Sequence, residues 1–381
     1  RLSDVPRHIL TLRVHKAKPC ASSHLTGSPY CIALVSKEGS IHVVSSNELW
    51  KYCTPEQVKI TLHSFELLSG LGLNEEKELP CLYAVSNHAQ QHYHPVQIPK
   101  KSGGTRRLLV PDLLLSTIQR NILHHVLCEV SVSKYAMAYK KKSSVLDNAR
   151  AHVGAEQIVK LDIQDFFENI SFLLVYQYAF PATYFPPAIR RMLTELCCYK
   201  DYLPQGASTS PTISNLVMKP FDEYMGKWCE EREICYTRYC DDLTFSWKSL
   251  NDTDIKTLIA KVRGFLRVYG FELNHKKTRI LKKNMRQNVT GIVVNEKLQV
   301  SREYRRKLRQ EIYYCRKYGV ESHLSRKYAK YNKDFDYGKN GNGKQKYLQR
   351  LLGKISYVCL INPTETEFHK IREEVMGWMQ K

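Results

Sequence analysis

The most constraining stretch of the chain is Tyr236-Thr-Arg-Tyr-Cys-Asp-Asp-Leu-Thr-Phe-Ser246, where two adjacent aspartates sit in a run of aromatic and β-branched residues. Tyr236, Thr237, Tyr239, Thr244 and Phe245 favour strands, so the run reads as two short strands with Asp241 and Asp242 at or beside the turn between them. Side chains alternate faces along a strand, so consecutive carboxylates can serve one site only where the backbone turns. Two carboxylates a few ångströms apart in a partly buried hairpin raise each other's pKa unless a cation lies between them. A hard divalent ion such as Mg²⁺ resolves the conflict with all-oxygen ligands. An isolated Asp pair is also what an ordinary solvated turn contains, so its flanks and a third acid have to decide.

The third acid is Asp162, in Ile158-Val-Lys-Leu-Asp-Ile-Gln-Asp-Phe-Phe167, which reads as a buried strand ending in acids and then aromatics. A strand-end carboxylate beside a hairpin pair is the arrangement that two-metal phosphoryl transfer needs, because both ions must touch the attacking and leaving oxygens. Asp165 competes for the same duty, and equally suits a helix N-cap after the strand.

With these residues assembled, the chain resembles the reverse transcriptases, and among them the retron type. The resemblance runs in order over about residues 95 to 360. Lys100-Lys-Ser-Gly-Gly-Thr-Arg-Arg107 with Pro111 is similar to the fingers motif and Asp162 to Phe167 to motif A. Leu203-Pro-Gln-Gly-Ala-Ser-Thr-Ser-Pro-Thr-Ile-Ser-Asn215 is similar to motif B, Tyr239-Cys-Asp-Asp242 to motif C and Asn274-His-Lys-Lys-Thr278 to motif D. Asn148-Ala-Arg-Ala-His152 and Val289-Thr-Gly291 match two signatures of the retron enzymes. The chain departs from the family at Ser208, where proline is usual, and at Cys240, where a small residue such as alanine is commoner.

The resemblance implies an α+β right-hand polymerase with fingers, a palm built on an antiparallel sheet and a helical thumb. Expected boundaries are an N-terminal extension over 1–90, fingers and palm over 91–300 and a basic RNA-binding thumb over 301–381. It implies two Mg²⁺ ions, with Mn²⁺ as the alternative, held by Asp162, Asp241, Asp242 and the backbone carbonyl of Ile163. Lys277 is the expected general acid for the leaving pyrophosphate. Arg106, then Lys100 or Lys101, would bind the incoming triphosphate. Phe167 would be the steric gate against a ribose 2′-hydroxyl. Gln205 would bond a nucleotide or template base, Gly206 would let backbone approach a ligand, and Tyr239 would lie near the primer end. Asn148 and His152, four apart and on one face if helical, stand as candidate RNA contacts or as local folding residues.

Composition agrees with an anionic partner. The 381 residues carry a formal charge of +21 with pI near 9.4, and 43% hydrophobic content supplies ample core. Residues 302–350 hold fifteen Lys/Arg against five Asp/Glu, interleaved with eight tyrosines. Cations for phosphate and aromatics for stacking suit looped RNA, with Arg305, Arg306, Arg309, Lys327 and Lys330 as candidates. Gly338 to Gly343 reads as a flexible interruption between helices. Twelve cysteines show no C-x-x-C pair and lie in apparent core segments, which points to a reducing cytoplasm. No run of 18 apolar residues and no signal peptide is present, so no membrane partner is expected. Near the start, residues 30–44 have strand-turn-strand character, and Thr54-Pro55 sets up an N-cap for a helix with Val58, Leu62, Phe65 and Leu68 on one face.

The retron resemblance further implies a cognate structured noncoding RNA as template, deoxynucleotides as substrates and synthesis from an internal guanosine 2′-hydroxyl. The product would be a branched RNA–DNA, the template would be removed by host RNase H, and an effector protein would complete an antiviral unit. Two rival readings are a reverse transcriptase of intron-derived or diversity-generating lineage, and a polymerase-like scaffold that binds RNA without synthesis.

Overall fold

Pro55 at the first helical position and a Thr54–Gln57 capping box start helix α1 (Pro55–Ser64) where the sequence predicts it, with Thr54 Oγ1 accepting from Gln57 N–H at 3.3 Å. The computed structural model describes residues 53–100, 103–128, 130–248, 252–331 and 343–380, with a pair of two-residue antiparallel strands, β1 (Leu34–Val35) and β2 (Ile41–His42). Lys101 and residues 338–342 lie outside the described residues, as do the side chains of Lys327 and Lys330. Leu62, Phe65 and Leu68, with Leu82 and Val85 of α2 (Glu75–Asn87), are buried in the same core as the residues that follow. Residues 55–87 therefore contribute to one core with the sheet and helices that follow.

Strands β3 (Tyr93–Pro99) and β4 (Thr105–Pro111) pair antiparallel from Tyr93↔Pro111 to Pro99↔Thr105, closing on Gly103 and Gly104, both at positive φ. Helix α3 (Leu113–Asn121) follows and passes into a π-helical turn over Ile122–Val126. Gln119, fully buried, donates to Tyr93 Oη at 2.7 Å and to the Leu196 carbonyl at 2.9 Å, tying the hairpin base to the helix over Pro187–Cys197.

Helix α4 (Val145–Arg150) precedes β5 (Gln157–Asp162), and α5 (Pro187–Cys197) starts on Pro187 as its N1 residue. The long α6 (Ser210–Glu230) then lies against a hairpin of β6 (Cys235–Tyr239) and β7 (Asp242–Trp247). With β8 (Arg279–Lys282), placed after α7 (Asp252–Val268), these strands form an antiparallel sheet in the order β6-β7-β5-β8. Strand alternation sends Tyr236, Leu243, Phe245, Val159 and Leu161 into the core shared with α6. The opposite face takes Asp162 and Asp242 at one end and Ile158, Thr237 and Ser246 further back.

Ile158 belongs to a second core that continues through the hairpin of β9 (Asn288–Val289) and β10 (Ile292–Val293). That core ends in four helices, α8 (Arg302–Tyr318), α9 (Val320–Tyr331), α10 (Gly343–Ile361) and α11 (Thr366–Gln380). A mixed antiparallel-sheet and helix architecture with a terminal helical unit is the α+β fold expected from the sequence.

Candidate active site

The β6–β7 turn consists of Cys240 and Asp241, with Tyr239 opposite Asp242 and Cys240 at φ +61°. Asp242 is thus the first residue of its strand, and across the sheet it pairs with Asp162, the last of β5. The next residue, Ile163, donates its N–H to the Asp241 carbonyl at 3.0 Å. Three carboxylate-bearing residues from two distant segments therefore meet at one sheet end, as the sequence predicts.

Lys277 Nζ lies 2.9 Å from Asp162 Oδ2, placed there by a short 3-10 turn over His275–Lys277 and anchored where Asn274 N–H donates to the Asp162 carbonyl at 2.8 Å. Burial pushes the Asp162 carboxyl up, with Lys277 opposing it and Asp241 adding to it. Burial also raises Asp242, with Lys160 lowering it and the charges of Asp241 and Asp162 raising it. The hydrogen bond to Asp162 raises Lys277, so its ammonium keeps its proton at neutral pH. Asp162 Oδ1 is buried without a hydrogen-bond partner.

An orphaned carboxylate oxygen among mutually repelling acids fits a hard divalent ion in donor chemistry. As the side chains stand, no group of three His, Cys, Asp or Glu among the described residues is gathered as a metal centre. Lys277 supplies the positive charge at Asp162.

Behind the turn lies a buried ion pair that sequence reasoning missed. Arg238 and Asp222 are both fully buried, joined by Nε–Oδ1 at 2.8 Å and Nη2–Oδ2 at 2.6 Å. Tyr236 Oη also donates to Asp222, and Arg238 Nη1 donates to the Cys240 carbonyl at 3.1 Å. The guanidinium thereby fixes the backbone of the turn that carries Asp241. Tyr139, at φ +57°, donates its hydroxyl to Cys240 Sγ at 3.3 Å from the other side. The available signal was a charged residue inside a strand whose neighbours all read as buried.

The motif B loop is tied to the fingers hairpin. Leu109 N–H of β4 donates to the Gln205 carbonyl at 2.8 Å, and a Cβ placed on Gly206 would lie 2.6 Å from the Leu109 carbonyl oxygen. With φ at +125°, Gly206 is required twice over. The close approach expected for a ligand is made instead by the chain's own β4. Phe167 is half-buried with its ring edge-on to Phe166 at 5.3 Å, and Gln205 and Tyr239 are also half-buried. Arg106 and Lys100 are exposed on the hairpin.

Residues 98–294 match the family described as reverse transcriptase (RNA-dependent DNA polymerase). The retron Ec86 reverse transcriptase of Escherichia coli is 33% identical over 226 residues, covering 58% of this chain and 68% of that protein. The retron Ec83 reverse transcriptase of the same organism is 33% identical over 230 residues, or 56% and 73% of the two chains. The retron Mx65 reverse transcriptase of Myxococcus xanthus is 30% identical over 295 residues, or 73% and 63%. The chain belongs to the retron-type reverse transcriptases. It is an RNA-directed DNA polymerase, and divalent-metal dependence comes with the family.

In this reverse transcriptase several residues expected to touch RNA do otherwise. Asn148 and His152 are corrected: both are buried, the Asn148 side-chain amide without a hydrogen-bond partner and His152 bonded against the sheet, so neither offers a surface to RNA. Arg305 and Arg309 are corrected in part, since Arg305 pairs with Glu365 at 3.0 Å and Arg309 with Glu367 at 2.6 Å, fastening α8 to α11 and the turn before it. Arg306 is exposed. Arg316 forms a third such bridge, to Glu374. Asp165 sits at φ +43° in a turn and caps no helix. Among the described residues no disulfide joins the cysteines, and no helix is long and apolar enough to cross a membrane.

Proposed function

We propose that this enzyme copies part of a cognate structured noncoding RNA into a branched RNA–DNA molecule, starting from an internal guanosine 2′-hydroxyl. The observation that carries the reading is the convergence of Asp162, Asp241 and Asp242 at one sheet end in a chain that bears both retron signature segments. Asp162, Asp241, Asp242 and the Ile163 carbonyl would hold two Mg²⁺, with Mn²⁺ as the alternative; when bound, these ions lower the pKa of the attacking hydroxyl and offset charge on the triphosphate.

The chain's own residues then divide the work. Lys277, protonated against Asp162, delivers a proton to the leaving pyrophosphate, and Arg106 with Lys100 and Lys101 grips the triphosphate from the hairpin. Phe167 excludes the ribonucleotide 2′-hydroxyl, Gln205 frames the nucleotide from the loop that Gly206 seats against β4, and Tyr239 lies under the primer end. Base pairing chooses the sequence. Arg306 and the basic residues of α8 and α9, Lys327 and Lys330 among them, bind the structured RNA. Host RNase H removes template in the cytoplasm, and an effector protein completes a defence unit against phage.

The test is expression with the native upstream locus, comparing wild type with Asp241→Asn plus Asp242→Asn. The expected outcome is a small branched DNA in wild type alone. The double variant should be at least as stable as wild type, since it removes half-buried like charges. Extension of an added primer on RNA without any branched product would keep the polymerase and discard the retron reading. Absence of all extension in wild type would favour an RNA-binding scaffold.

A further inference from the structure

The sheet face that carries Asp162 and Asp242 is covered further back by the segment after α4. His152, 1% exposed, lies with Nε2 2.7 Å from Thr237 Oγ1 of β6 and Nδ1 2.7 Å from Ser246 Oγ of β7. A single imidazole thus cross-links both strands of the catalytic hairpin, on the same face as Asp242. Three residues earlier, Ala149 is buried in the second core with Val289, Ile292 and Val294. The same segment is bonded to the β9–β10 hairpin, since Thr290 Oγ1 donates to the Val145 carbonyl at 3.1 Å and Gly154 N–H donates to the Val294 carbonyl at 3.0 Å.

Thr290 is an odd choice for its backbone. It stands at φ +48° beside Gly291 at φ +85°, the first position of a two-residue hairpin turn that favours asparagine or glycine and strains a β-branched residue. What threonine adds there is the hydroxyl that reaches Val145.

We propose that the Asn148–His152 segment and the Val289–Gly291 turn form one internal joint, which sets the catalytic hairpin relative to the thumb-side core. His152 and Thr290 are its two positioning residues. The two retron signature segments are then halves of a single device. The helices that follow β10 build on the core at one end of the joint, and Asp241 and Asp242 hang from the hairpin at the other. Loosening either end moves the carboxylates relative to whatever the thumb-side helices hold, and misplacement of about 1 Å costs roughly 100-fold in rate.

The test is single-nucleotide extension on a preformed RNA-template, DNA-primer duplex, with kcat and the KM for deoxynucleotide measured separately and thermal melting followed in parallel. Thr290→Gly relieves the backbone strain and deletes the hydroxyl. The melting temperature should hold or rise while kcat falls at least fivefold and KM stays within twofold. His152→Gln, which replaces the rigid ring that joins the two hydroxyls, should lower kcat in the same way. The double variant should lose no more than the worse single one, because two breaks in one joint are not independent. Wild-type kcat in Thr290→Gly would overturn the proposal. So would a double variant whose loss is the product of the single losses, or a change confined to KM. If His152→Gln does not fold, Thr290→Gly decides alone.

Discussion

Of the two antiparallel hairpins that carry the motif residues, β6–β7 is buried along most of both strands, whereas β3–β4 is exposed along most of both. The first spends a buried ion pair, a tyrosine hydroxyl and an imidazole on holding one turn in place. The second leaves Arg106 and Arg107 in solvent, with no acidic partner among the described residues. The contrast is what the proposed mechanism asks of each hairpin. Carboxylates that must stand within a few tenths of an ångström of reacting oxygens need a frame that does not move. Cations that must meet a polyanion arriving from solution are best left unpaired until it comes.

The sharpest way to break this contrast is at its rigid end. Arg238→Ala leaves Asp222 buried without its partner, which should cost about 3–5 kcal/mol in urea unfolding. A variant that unfolds at the wild-type midpoint would show that the frame is not built on this pair. Between the hairpins, Gly206→Ala places a methyl 2.6 Å from the Leu109 carbonyl and strains a positive φ. That strain is worth about 1–3 kcal/mol. The expected result is a rise of about tenfold or more in the KM for deoxynucleotide, read by steady-state extension. At the open end, Arg106→Ala should leave stability within about 0.5 kcal/mol. It should still raise the same KM about tenfold, the worth of one charge-assisted hydrogen bond. Destabilisation by Arg106→Ala would mean that the open hairpin is braced after all.

How far the sequence could be read follows the same division. Asp162, Asp241 and Asp242 were legible because strand alternation and a turn leave few places for paired acids to meet. Helix α1 was legible from its cap. Arg238 and Asp222 were not, because the partner of a buried charge lies 16 residues away on another element and leaves no local pattern. His152 stood open between an RNA contact and a local folding residue, and its burial beyond the end of α4, between Thr237 and Ser246, favours the second, which spacing along a helix could not decide. Arg305 and Arg309 were misread by counting charge over 302–350, a window that stops short of Glu365 and Glu367. Gly206 was legible as a turn glycine, but what it approaches is a strand about a hundred positions upstream.

That last contact bears on any attempt to re-engineer the enzyme. The Leu109–Gln205 bond and the glycine packed beneath it make the Gln205–Gly206 loop and the basic hairpin a single interchangeable part. Swapping the hairpin for that of a relative, to alter substrate choice or speed, would leave a mismatched seam at residue 109. The two segments have to be transplanted together.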